Sequence, residues 1–183
     1  MSRRYLVSRV SNQFRCWFSY ALSLFGVVRV QHMPAFVSIE PANFCQLRCP
    51  ECPVGQRASL PDTPDSIQTK RPRQLLSPDA FRTILTQIQS TAHTVQFYFQ
   101  GEPLLNPALP DMIALARRVG MYTIVSTNAQ ALTEDMAERL VASGLNRIIV
   151  SIDGFTPESY AAYRVGGHLP LALAGLRYLR AAK

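Results

Sequence analysis

Along the first thirty residues apolar positions return at every fourth place: Leu6, Val10, Phe14, Phe18 and Leu22, with Trp17, Ala21 and Phe25 filling the same side. Side chains at that interval share one helical face. Residues 1–30 therefore predict a single amphipathic helix whose apolar side packs on the rest of the chain. Pro34 ends the connection, and FVSIEP (Phe36 to Pro41) reads as a short buried strand. The proline-rich polar stretch from Pro53 to Gln74 predicts a loop.

From Ser77 onward the pattern becomes regular. SPDAFRTILTQIQS opens with Ser77 as N-cap and Pro78 at the first helical position, so a helix follows. TVQFYFQGEP is an apolar strand that stops at Gly101-Glu102-Pro103; NPALPDMIALARRVG is a helix closed by Gly120. YTIVSTN predicts a strand, TEDMAERLVASG a helix capped by Thr133 and stopped at Gly144, and NRIIVSIDG another strand. Helices over TPESYAAYRVGG and LPLALAGLRYLRAAK complete the chain. The predicted strands are continuous apolar runs, which suits burial on both faces and hence a parallel sheet with crossover helices. Polar residues gather where each strand ends: the segment after Pro41, Gly101-Glu102, Ser126-Thr127-Asn128, and Ser151 with Asp153. In parallel α/β folds that rim binds ligands, so four separate segments aim polar groups at one place.

Composition adds a bound on class. With 183 residues, 48% of them hydrophobic and 17% charged, the chain can bury a core and is not a disordered or repetitive sequence. The net charge of +7 is unevenly placed, because Arg3, Arg4, Arg9, Arg15 and Arg29 all precede the first acidic residue, Glu40. A basic amphipathic arm suits a solvated helix face or weak contact with an anionic membrane surface through residues 1–30; no nucleic-acid partner is expected. The apolar run Cys16 to Val28 is too short to span a bilayer and no A-x-A cleavage site follows it. Free thiols in a cluster suit a reducing compartment, so a cytoplasmic protein is expected.

The chemistry centres on CQLRCPEC, which packs Cys45, Cys49 and Cys52, three of the four cysteines, into one short loop. Zinc would want four ligands in a closed tetrahedral site, and Cys16 and His32 lie upstream without recognisable spacing. An iron–sulfur cubane uses cysteine thiolates as ligands, and three cysteines would leave its fourth iron open. Plain core cysteines are the third reading.

CQLRCPEC resembles the cluster-binding loop of the radical S-adenosylmethionine (SAM) enzymes. FYFQGEPLLNP, STN and IIVSIDGFTPESYAAYRVGG resemble later strands of the SPASM-type subgroup of that superfamily. The resemblance runs from Phe36 to the last residue. It implies a partial parallel (β/α) barrel, here truncated after about four strands, with a radical SAM core over 34–183 and a basic helical arm over 1–33. It implies that Cys45, Cys49 and Cys52 bind a [4Fe–4S] cluster whose open iron is chelated by SAM. One electron from a flavodoxin- or ferredoxin-type reductant would cleave SAM to methionine and a 5′-deoxyadenosyl radical, which abstracts hydrogen from an unnamed substrate, a peptide among the candidates. Gly101, Glu102 and Pro103 resemble the motif that holds the SAM amino group. Ser151 and Arg164 match positions that contact the SAM carboxylate or ribose. Asp153 would accept from ribose hydroxyls or cap the following turn, and Asn128 faces the site or simply turns the chain. Two positions depart from the family pattern: Glu51 stands where an aromatic residue commonly packs near the adenine, and Gln46 where Asn is common. The family barrel has about six strands, so a fragment of a longer enzyme is expected. A non-catalytic three-cysteine iron–sulfur or zinc module is the alternative.

Overall fold

A computed structural model describes residues 5–56 and 72–183. Four parallel strands, β1 (Phe36–Ser38), β2 (Thr94–Gln96), β3 (Tyr122–Thr127) and β4 (Arg147–Val150), form one open sheet in chain order. Around them run α1 (Leu6–Ser23), the one-turn α2 (Pro53–Gln56), α3 (Pro78–Ile88), a 3-10 turn (Pro103–Leu105), α4 (Leu109–Arg118), α5 (Glu134–Ala142), α6 (Pro157–Tyr163) and α7 (Leu169–Ala182). This is the α/β architecture expected from the sequence, an open parallel sheet preceded by an N-terminal helix.

Helices α3, α5 and α6 begin where a side chain takes up a first-turn N–H group. Ser77 Oγ accepts from Ala80 N at 3.1 Å and Thr133 Oγ1 from Met136 N at 3.2 Å. Thr156 and Ser159 bond reciprocally as a capping box. The core lies between one face of the sheet and α3, α4, α5 and α7. Phe81 and Phe97 meet there at 5.4 Å between ring centroids, among Leu109, Met112, Ile113, Val125 and Leu140.

Three expectations are corrected. The strands are shorter than their apolar runs, and burial on both faces fails. β3 alternates, with Thr123, Val125 and Thr127 buried while Tyr122 is exposed and Ile124 and Ser126 are half-buried; the edge strands β1 and β4 have no fully buried residue. Among the described residues, the core helices α3, α4, α5 and α7 pack on one face of the sheet. The loop expected over 53–74 lies mostly outside the described residues, and its first four residues form a helical turn instead, joined to the cysteine loop by Gln56 N to Cys52 O at 2.9 Å.

The third correction concerns α1. The helix ends at Ser23, not near residue 30: Gly26 adopts φ +78°, and Val27 N returns to Leu22 O at 3.1 Å. The β-branched run after it is not helical. More importantly, the helix docks through its polar side. Arg9 is 8% exposed, and its guanidinium donates to Gln89 O (2.8 and 3.1 Å), Val119 O (2.8 Å) and Gly120 O (3.0 Å). These are carbonyls at the C-terminal ends of α3 and α4, where helix dipoles favour a cation. Burial lowers the Arg9 pKa. Asn12 adds bonds to Met33 O at 2.8 Å and from Met33 N at 3.0 Å. The predicted contact face, Leu6, Val10, Phe14 and Phe18, is exposed instead. No described helix is long and apolar enough to cross a membrane.

Candidate functional site

At the C-terminal ends of the strands a cavity of about 190 Å³ is lined by Cys45, Cys49 and Cys52 from the cysteine loop, Tyr98 to Glu102 after β2, Ser126 to Asn128 on and after β3, Ser151 after β4, and Tyr163 and Arg164 at the end of α6. Cys45, Cys49, Cys52, Gly101, Glu102, Asn128, Ser151 and Arg164 were all singled out from sequence, and all eight face this one space. Pro103 does not: it is buried in the 3-10 turn. Asp153 lies off the lining and reaches the cavity through Arg164, whose Nε donates to its Oδ2 at 2.5 Å.

The cysteine loop is held from two sides. Arg48 N donates to Val165 O at 2.9 Å, tying it to the end of α6, and Gln46 Nε2 donates to Asn128 Oδ1 at 3.2 Å, tying it to the end of β3. Beneath it, Glu102 N donates to Phe44 O at 2.9 Å, and Gly101 packs so closely that a Cβ there would lie 1.8 Å from Ala42 O. Glycine at 101 is thus required by the chain's own backbone. Glu40 Oε1 accepts from Gly101 N at 3.1 Å and from Gln100 N at 3.3 Å, fixing the same junction.

Two sulfurs meet N–H donors. Cys45 Sγ lies 3.4 Å from both Leu47 N and Asn128 Nδ2, and Cys49 Sγ lies 3.8 Å from Arg164 Nη1. Such donors favour thiolate over thiol. Burial works the other way and pushes the Cys45 thiol up to about 11, the Leu47 N–H only partly offsetting it. Binding a metal centre there would release that proton. Burial would lower Arg164, but Asp153 and the Cys49 sulfur together more than offset it and the guanidinium pKa is raised.

Glu102 is 3% exposed. Its Oε1 accepts from Thr127 Oγ1 (2.6 Å) and Leu104 N (3.1 Å), and its Oε2 from Asn128 N (2.9 Å). Burial raises its pKa and these three bonds pull against that. The carboxylate therefore locks the end of β3 against the end of β2. Just beyond, Ala129 is held at φ +59°, a left-handed conformation rare for a residue with a Cβ. Such outliers concentrate at functional sites.

Sequence reasoning missed three aromatic groups. Tyr98, Phe99 and Tyr163 line the cavity, with Phe99 68% exposed. Their one available signal was position: Tyr98 and Phe99 lie just before the Gly101-Glu102 strand end. Gln130 was also missed; its side chain bonds Tyr160 Oη at 3.1 Å and His168 N at 2.8 Å, joining the segment after β3 to the start of α7.

The donor set suits a cluster. Three cysteine thiols share one cavity, and an iron–sulfur cubane takes cysteine thiolates as its ligands.

The family model of the radical SAM superfamily matches residues 39–183. The chain belongs to the radical SAM superfamily. Members of that superfamily use a [4Fe–4S] cluster and SAM, and the relatives of this radical SAM chain include SPASM-type members. It is 26% identical over 157 residues to the AdoMet-dependent heme synthase of Methanosarcina barkeri, covering 85% of this chain and 42% of that protein. It is 31% identical over 125 residues to the PqqA peptide cyclase of Streptomyces rochei, covering 68% of this chain and 31% of that one. Among solved structures, Streptococcus suis SuiB bound to precursor peptide SuiA matches with a TM-score of 0.64 at 17% identity, over 93% of this chain and 35% of SuiB. At that identity the likeness is one of fold. The chain spans less than half the length of these relatives.

Proposed function

We propose that this chain is the cluster- and SAM-binding core of a radical SAM enzyme that modifies a peptide or protein substrate. The core is assigned to residues 34–183, and residues 1–33 form an appended arm. Cys45, Cys49 and Cys52 hold the cluster. The cluster would supply the electron for reductive cleavage of bound SAM and so start hydrogen abstraction from the substrate. A flavodoxin- or ferredoxin-type protein supplies the electron.

The remaining roles belong to this chain's own side chains. Leu47 N, Asn128 Nδ2 and Arg164 Nη1 offset thiolate charge on Cys45 and Cys49. Glu102 keeps acceptor capacity beyond its three bonds, enough for the SAM ammonium while it holds the end of β3. Arg164, oriented by Asp153, presents its guanidinium to the SAM carboxylate, and Ser151 hydrogen-bonds the carboxylate or ribose. Phe99 and Tyr98 offer the adenine an aromatic face, the service that Glu51 cannot give. Gly101 and Pro103 act through the backbone by seating the cysteine loop. The observation that carries the reading is the convergence of three thiols with strand-end groups from the whole sheet in one cavity. The peptide class is supported by similarity to the PqqA peptide cyclase and by the fold shared with peptide-bound SuiB.

The test is anaerobic iron–sulfur reconstitution, followed by EPR of the reduced cluster with and without SAM. A [4Fe–4S] signal that shifts on adding SAM is the expected result. A cluster indifferent to SAM, or zinc in its place, would instead mark a non-catalytic metal module.

A further inference from the structure

A second cavity, of about 900 Å³, lies away from the thiols. It lies at the opposite pole, between α1 and the segments that enter β2 and β3, and Leu6, Val10, His93, Arg117, Arg118 and Tyr122 face it. Among the described residues no acidic side chain lines it. Beside it runs the outward face of α1. At 100° per residue Leu6, Val10, Phe14, Trp17, Phe18 and Ala21 occupy an arc of roughly 120°, and Phe14 and Trp17 are 71% and 66% exposed. The chain after the helix continues the same character, with Phe25 84% exposed and Val28 exposed beside it.

We propose that α1 and this groove form a docking surface for an anionic phospholipid bilayer. Three observations point to lipid. First, the helix is bound to the domain by Arg9 and Asn12 reaching backbone carbonyls, so its aromatic arc is held outward by the fold. A helix whose apolar arc served the core would be docked the other way round. Second, charge is complementary: residues 1–39 carry five arginines and no acid, Arg15 and Arg29 are exposed, and Arg117 and Arg118 stand at the groove beside the apolar arc. Aromatic and apolar groups rimmed by arginine suit the headgroup boundary, where apolar burial and attraction to anionic lipid add. Third, geometry separates the two functions. Every carbonyl that Arg9 grips precedes a strand, whereas the thiols lie where the strands end. An α1 lying flat on a membrane leaves the cysteine cavity facing away from it, open to a soluble reductant and a peptide. The inference goes beyond the proposed activity and does not depend on it.

The experiment is sedimentation of the full chain with vesicles of phosphatidylcholine containing phosphatidylglycerol, against phosphatidylcholine alone. Binding to the anionic vesicles only is expected. It should weaken as salt rises from about 0.1 M to about 1 M, which shortens the Debye length from about 10 Å to about 3 Å. Phe14→Glu with Phe18→Glu, both at exposed positions, should lower partitioning about tenfold or more, and Arg117→Gln with Arg118→Gln should weaken binding to the anionic vesicles and lessen its salt dependence. Absent or salt-insensitive binding would overturn the proposal. So would concentration-dependent self-association that the double Glu variant abolishes while vesicles bind nothing, since a second copy would then be the occupant. Iron content of the reconstituted variants separates this outcome from any failure of the cluster site.

Discussion

Glu102 does two jobs that pull on different atoms. Its carboxylate is buried, accepts Thr127 Oγ1, Leu104 N and Asn128 N, and so fixes the backbone at the end of β3. Asn128, placed this way, reaches both Cys45 Sγ and Gln46. Glu102→Gln keeps the volume but turns one acceptor into a donor, so either Asn128 N or Leu104 N loses its acceptor and faces an N–H. The expected loss is about 1–3 kcal/mol of stability, measured by denaturant unfolding of the chain without its cofactors. Removing the negative charge should also weaken SAM binding about tenfold, since charge-assisted bonds are roughly twice as strong as neutral ones, while iron content after reconstitution stays near wild type. Unchanged SAM affinity would leave Glu102 with its structural task alone. The motif was legible in the sequence because a strand-end carboxylate after glycine is conspicuous. That its bonds run first to the neighbouring strand was not, because Thr127 and Asn128 lie 25 and 26 residues away.

At the level of elements, each strand lies within its apolar run though shorter than it, and α3, α5 and α6 begin where their capping residues Ser77, Thr133 and Thr156 stand. The α1 helix shows where that logic stops. Its four-residue apolar period predicts the helix correctly and its orientation wrongly, because periodicity records which side is apolar and says nothing of which side is held. Arg9 decides the matter with four charge-assisted bonds to carbonyls at the ends of α3 and α4, partners no local pattern announces. Arg9→Ala should leave those carbonyls short of partners and cost about 2–4 kcal/mol, read from the shift of the unfolding midpoint. Arg9→Lys should recover only part of it, since an ammonium lacks the fork that spans two helix ends. Equal effects of the two substitutions would show that charge alone holds α1.

Across the whole molecule, the two poles of the sheet carry different kinds of order. At the pole where the strands begin, α1 is fastened to α3 and α4 through backbone carbonyls. At the pole where they end, the cysteine loop is joined to its three neighbours by a few hydrogen bonds: Arg48 N to Val165 O, Gln46 and Cys45 to Asn128, Glu102 N to Phe44 O, and Arg164 to Cys49. Loops joined this sparsely open locally at low cost. A cluster held by Cys45, Cys49 and Cys52 would tie the loop itself, and through those bonds its three neighbours, into one unit. Hydrogen exchange read anaerobically before and after reconstitution should therefore show added protection at residues 45–52, 101–104, 126–130 and 164–167 together, by about tenfold or more. The amides of α1 should exchange at the same rate in both states. Protection confined to the cysteine loop would mean that the strand ends are already fixed without the cluster, by Glu102 and its three partners alone. Protection spreading to α1 would mean that the two poles communicate through the sheet, and membrane docking and cofactor loading would then be coupled events.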